Sequence, residues 1–199
     1  LPNCLVSEEW KNLNPLRRVG SRPRVGWAGQ VGVHRSDLRF LSSVFEEIGD
    51  EVEWVFLGEV PEDLRRTEVK SEVHHMVPLS QFPTKLAGLN LDLRLLQYGV
   101  LGFPVIATDI YPHGIAPVTR VPNDPQAWAR AIRDHLYNPD CSEKEGKMLR
   151  EWVLKNRMLE NWLPQYRDVW LGESANRRHP SIFSECVNDK SRSSPTSCI

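Results

Sequence analysis

Between residues 22 and 171, short unbroken apolar runs alternate with longer stretches in which apolar residues recur every three or four positions. Strands are read at 24–28, 51–58, 73–77, 89–92, 103–107 and 117–121; the run 103–107 lacks the in-and-out alternation of a half-exposed strand, which suits a strand covered on both faces of a parallel sheet. In the second of them Trp54, Val55, Phe56 and Leu57 follow one another without a polar residue. The stretches between carry the helical period. Ser36 caps one in which Leu38, Leu41, Phe45 and Ile48 form a stripe, and Gly49 ends it. Pro61 opens a short charged helix, and Ser80 leads into another through Phe82, Leu86 and Leu89. Leu93 starts the next, with Gly99 and Gly102 closing it. Asn123, Asp124 and Pro125 make the cap and first turn of a helix that turns Trp128, Ile132 and Leu136 inward. Asn138 and Pro139 break it, and Ser142 restarts a helix with Leu149, Trp152 and Val153 inward. The last stretch, 159–171, sets Trp162, Tyr166 and Trp170 at i, i+4 and i+8, a stripe more often core than stacking platform. Strand followed by helix, repeated, predicts an α/β fold: a Rossmann-like parallel sheet with helices on both faces.

Outside that region the pattern fades. Residues 1–21, with Pro2, Pro15, Arg17 and Arg18, read as a lead-in or interdomain linker that adds nothing to the core. Residues 22–171 form the domain, and the polar, unpatterned residues 172–199 a flexible tail. One join inside the domain is physically awkward. A strand running to Asp92 meets a helix starting at Leu93, although packed βα units take about 2–6 residues to turn. Either one element is misread or a loop is left out between Asp92 and Arg94, and the strong apolar pattern on both sides favours the missing loop.

Composition narrows the partners. Across 199 residues, 25 Lys and Arg stand against 26 Asp and Glu, so no broad field recruits nucleic acid. Cys4, Cys141, Cys186 and Cys198 are too scattered for a zinc site and fit the reduced thiols of a cytosolic protein. No apolar run approaches the ~20 residues of a membrane span. The first residues lack the order of a signal peptide, and a start without Met predicts a fragment or processed piece. His74 and His75 invite a metal reading, but neighbours in a strand point to opposite faces and cannot hold one ion.

Two loops and one helix hold candidate chemistry. The segment that follows the first strand from Gly29 is rich in glycine and precedes a helix start, where unpaired N–H groups and the helix dipole favour phosphate; His34 and Arg35 would add donors. The turn 109–114 offers backbone N–H groups in the same way. Gln97 would face a ribose. The same residues also fit an ordinary αβ unit whose glycines only shape turns, with His34 bonded to loop backbone and Arg35 solvated. A dinucleotide fingerprint is absent, since Gly29 and Gly32 lack the third glycine at the required spacing.

The stretch LLQYGVLGFPVIATD at 95–109 is similar to the signature of the carboxyl-terminal, nucleotide-sugar-binding domain of GT-B-fold glycosyltransferases of the family-four-like type. RVGWAG at 24–29 with His34, Asp37 and Leu38, WVFLG at 54–58, QFP at 81–83, LNLD at 89–92 and PVTRV at 117–121 match it in order. It resembles most the proteins that build bacterial surface polysaccharides, such as O-antigen. The resemblance implies one half of a GT-B fold that binds a nucleotide-diphosphate sugar for transfer of a hexose-type sugar to a cell-surface glycan precursor or a lipid-linked or protein acceptor. It places Gly29, His34, Arg35, Tyr111, Pro112, His113 and Gly114 at the diphosphate and sugar, and Gly58, Val77, Pro78 and Gln97 at the base and ribose. No catalytic residue is assigned. It implies no metal or other cofactor, because backbone dipoles and cationic side chains stabilise the leaving diphosphate. It further implies a missing amino-terminal Rossmann-like domain, without which this piece is inactive, and a cytoplasmic protein or one peripheral at the inner membrane. The alternative is a degenerate, non-catalytic module with a structural or interaction role, since Gln97 stands where the family usually has a glutamate and a loop is lacking.

Overall fold

The computed structural model describes residues 1–15, 22–29, 35–60, 65, 69, 71–89, 95–109 and 115–172. By internal contacts residues 2–161 form one compact unit, and residues from Trp162 belong to a second.

In the first unit, β1 (Arg24–Gly29), β2 (Glu53–Gly58) and β3 (Ser71–His74) form a parallel sheet in that order, with Val25 opposite Trp54 and Val55 opposite Glu72. A second parallel pair joins β4 (Ile106–Thr108) to β5 (Thr119–Val121). Alternate side chains of β2 enter two different cores. Val55 and Leu57 meet Ala28, Phe82, Leu86, Tyr98 and Leu149, while Trp54 and Phe56 meet Phe45, Ile48, Trp128 and Ile132. β4 divides in the same way, Ala107 to the first core and Ile106 to the second. Both ladders therefore contribute to one layer between helices. On one face lie α3 (Phe82–Leu89), α4 (Leu95–Val100) and α6 (Pro139–Asn156); on the other lie α2 (Arg35–Ile48) and α5 (Pro125–Tyr137). The strands' continuous apolar character follows from burial on both sides, and the protein is the Rossmann-like α/β fold that the alternation predicts.

Several local expectations change. The run 73–77 is a strand only as far as His74, which pairs with Leu57; beyond it Gly58 takes φ 121° and β2 leaves the ladder. Leu89 does not open a strand but ends α3, because the apolar residues from Phe82 continue a helical period that a short run cannot distinguish from a strand. Gly99 does not close its helix; it lies within α4, and a Cβ there would crowd Leu149 at 2.8 Å. Gly102 does, at φ 78°: its N–H donates to the Gly99 carbonyl at 2.9 Å and the Phe103 N–H to the Tyr98 carbonyl at 3.1 Å, a Schellman closure. That closure consumes Phe103, so β4 starts only at Ile106. Asp124 caps α5 as expected, accepting from the Ala127 N–H at 2.7 Å. Only Asn138 separates α5 from α6, so Ser142 lies inside α6 rather than starting it.

The first residues, expected to stay out of the core, reach it. Leu5 and Trp10, the latter ending α1 (Ser7–Trp10), are buried in the first core, with the Trp10 ring edge-on to Phe82. The Leu5 N–H donates to the Arg157 carbonyl at 2.8 Å, and the Leu5 carbonyl accepts from the Leu159 N–H at 2.8 Å. Ser7 bonds through its N–H (2.9 Å) and hydroxyl (2.6 Å) to Glu160, in the 3-10 turn Leu159–Asn161.

In the second unit, α7 (Leu163–Trp170) follows Trp162. Its aromatic stripe does not form core: no residue of α7 is buried, Trp170 is 79% exposed, and Tyr166 meets Trp170 edge-on at 6.0 Å. The expected tail, from Glu173 onward, lies outside the described residues, as does the join at Asp92 to Arg94.

Candidate functional site

The carboxyl ends of β1 and β2 meet as Gly29 opposite Gly58. A Cβ on Gly58 would overlap the Gly29 carbonyl oxygen, and φ 121° is a conformation L side chains rarely adopt, so both space and backbone require glycine. The Glu59 N–H closes the approach by donating to the Gly29 oxygen at 3.4 Å. Gly29 is buried and Gly58 half-buried, so of this pair Gly58 is the one that reaches the surface. The chain returns past it at Met76 and Val77; Val77 is half-buried against the first core, and Pro78 beside it is exposed.

From Val77 a groove of about 490 Å³ runs along α3, lined by Val77, Ser80, Gln81, Thr84, Lys85 and Gly88. Beneath it a chain of charges crosses the sheet. The Arg24 side chain, 2% exposed, donates to Glu72 at 2.5 Å and lies 3.6 Å from Glu53. His74 meets the other Glu72 oxygen through Nε2 at 2.5 Å, and its Nδ1 is 3.1 Å from the Lys85 ammonium. Because an ammonium can only donate, Nδ1 is the acceptor of that contact and Nε2–H the donor to Glu72. Partial burial pushes the Glu72 carboxyl up, but the His74 hydrogen bond and the Arg24 charge outweigh it and hold the group below its ordinary range.

Gln97 is half-buried on α4, and its Oε1 is shut off from solvent without a partner among the described residues. A buried acceptor left unpaired costs ~1–3 kcal/mol. Leu95 and Leu96 pack on the same core as Val77, which puts the start of α4 and the loop after β3 on one face. At the end of β4, the Asp109 N–H donates to the Val121 carbonyl at 2.9 Å and the Asp109 side chain is exposed.

Of the residues expected at the site, Gly29, Gly58, Val77, Pro78 and Gln97 are described. The backbone of Arg35 opens α2, whereas His34, Tyr111, Pro112, His113 and Gly114 lie outside the described residues. Sequence reasoning missed the chain from Arg24 to Lys85. Its only signal was that Glu72 and His74, two apart in a strand, share a face; their partners depend on strand order. Elsewhere, at the amino end of β5, Thr119 Oγ1 lies 2.9 Å from His135 Nε2 and donates to Glu145 at 3.0 Å, while His135 Nδ1 lies 2.9 Å from Ser142 Oγ. Burial pushes the His135 imidazole below its usual range, with Glu145 and Asp134 pulling the other way.

Among the described residues no group of three His, Cys, Asp or Glu is placed to hold a metal ion, and no helix is long and apolar enough to cross a membrane.

No family model and no curated protein matches the sequence. Solved structures do match the fold. Sucrose-phosphate synthase from Thermosynechococcus elongatus superposes with a TM-score of 0.69 at 15% identity, covering 86% of this chain and 51% of that one. A glycosyltransferase from Rickettsia africae gives 0.62 at 14%, covering 79% and 49%. Anabaena HepE, solved in complex with UDP and glucose, gives 0.60 at 11%, covering 74% and 48%. The chain thus spans about half the length of these structures, and its fold is one Rossmann-like half of the GT-B architecture.

Proposed function

We propose that this chain is the donor-binding half of a glycosyltransferase: it holds a nucleotide-diphosphate sugar for transfer of a hexose-type sugar to a cell-surface glycan precursor or a lipid-linked or protein acceptor. The observation that carries the reading is Gln97 Oε1 on the helix before β4, buried and without a partner among the described residues, an acceptor suited to a ribose hydroxyl. The half-buried, side-chain-free backbone at Gly58 on the carboxyl edge supports it, since a diphosphate needs backbone that can come close. His34, Arg35 and the segment Tyr111, Pro112, His113 and Gly114 would complete the phosphate and sugar contacts, with Val77 and Pro78 at the base. Backbone dipoles and cationic side chains would stabilise the leaving diphosphate without a metal. The UDP and glucose in the HepE complex are ligands of the same class. A second, amino-terminal Rossmann-like domain would bring the acceptor. The setting is cytoplasmic or peripheral at the inner membrane.

Gln97 also favours a second reading, a non-catalytic module with a structural or interaction role, because a neutral amide accepts more weakly than a carboxylate. Calorimetric titration of the chain with UDP, GDP and dTDP sugars separates the two: the first predicts saturable binding of at least one, and no binding of any supports the second.

A further inference from the structure

We propose that the groove beside Val77 receives the nucleobase and that Lys85 selects it, donating to an exocyclic keto oxygen at the position where cytosine and adenine carry an amino group. Donors with uracil, thymine or guanine are then preferred to those with cytosine or adenine. This inference rests on the nucleotide-sugar reading above and deepens it.

Among the described residues that line the groove, Lys85 is the only one with a charged side chain. An ammonium donates and never accepts, so it meets a carbonyl and opposes an amino group at the same place. Ser80, Gln81 and Thr84 can donate or accept, and so leave the choice to Lys85. A lysine is usually too mobile to discriminate, but here His74 Nδ1 takes one of its donors at 3.1 Å. His74 is itself oriented by Glu72, and Glu72 by the buried Arg24. The ammonium is thereby held before any ligand arrives, which lowers the ordering cost of binding. The placement also fits the size of the ligand. β3 lies two strand spacings from β1, ~10 Å, so a base near the end of β3 and a diphosphate at Gly29 are about one nucleotide apart.

The test is calorimetry of the full chain with UDP, CDP, GDP and ADP. The native protein should bind UDP more tightly than CDP and GDP more tightly than ADP, each by about tenfold, the worth of one hydrogen bond to a charged group. Lys85→Met should close both gaps by weakening UDP and GDP while leaving CDP and ADP as they were. Lys85→Gln, whose amide both donates and accepts, should close them as well and stands in if the Met variant fails to fold. Equal weakening of all four nucleotides would place Lys85 on the phosphates, and unchanged binding would take the base out of the groove; either result overturns the inference alone. If the native chain binds none of the four, the nucleotide reading itself falls.

Discussion

Two close backbone approaches in this molecule are built alike and placed differently. At Gly146 in α6 a Cβ would overlap the Gly102 carbonyl oxygen, and Gly99 beside it presses on Leu149 and Val153. Gly99, Gly102 and Gly146 are all buried, so this contact ends in packing. At Gly58 a Cβ would meet the Gly29 carbonyl just as closely, yet Gly58 is half-exposed and ends its strand. A glycine contact sealed by side chains serves the core; the one at Gly58 lies at the carboxyl edge of a parallel sheet, the edge at which open α/β sheets bind ligands.

The comparison breaks most readily at its enclosed member. Gly146→Ala sets a methyl against backbone that cannot swing aside, and we expect a loss of about 3 kcal/mol in denaturant unfolding. A loss below 1 kcal/mol would mean α6 shifts freely over the turn at Gly102. At the open member, Gly58→Ala should cost about 2 kcal/mol through its left-handed backbone and should also weaken UDP-sugar binding in calorimetry. If the variant is less stable but binds as the parent does, Gly58 is as purely structural as Gly146 and the contrast collapses. Gln97 sharpens the distinction because its two effects have opposite sign. Gln97→Leu should raise stability by about 1 kcal/mol, removing an unsatisfied buried acceptor, while weakening nucleotide-sugar binding; Gln97→Glu should strengthen binding. A Leu variant that is less stable would show that the oxygen has a partner.

The smallest effect concerns His135, far from the proposed site along the sequence. Its imidazole is depressed in the fold by burial, so the neutral form is the one folding favours. That contribution is present above the ordinary value of about 6.5 and is lost as pH falls through it toward the folded value. Between pH 7 and pH 5 the native chain should therefore lose more stability than His135→Gln, compared by urea unfolding at each pH. Equal slopes would remove His135 from the account.

The layer order was legible because both faces of the strands are buried: Val55 and Leu57 go one way, Trp54 and Phe56 the other, and the sequence shows one apolar run. Element ends were less legible. Leu89 could be read as strand because a few apolar residues carry no period, and Phe103 because its part in the Schellman closure depends on Gly102 taking φ 78°. Trp162, Tyr166 and Trp170 were read as core from spacing alone, but spacing says which residues share a face and not what covers it. Of the candidate site, Gly29 and Gly58 stood out as glycines ending apolar runs, and the structure sets them opposite each other. Lys85 was invisible, because its contact with His74, eleven residues away, is set by the tertiary fold and by no local pattern.

Leu5 and Met158 form a single parallel bridge, flanked by the bonds to Arg157 and Leu159. The chain therefore enters and leaves its larger unit at one place, fastened there like the two ends of a purse string. A body whose entrance and exit coincide is a natural cassette: it can be spliced between other segments, or cut elsewhere and rejoined through a short connector, without rerouting its interior. Circular permutants joining residues near 2 and 161 should accordingly retain the fold.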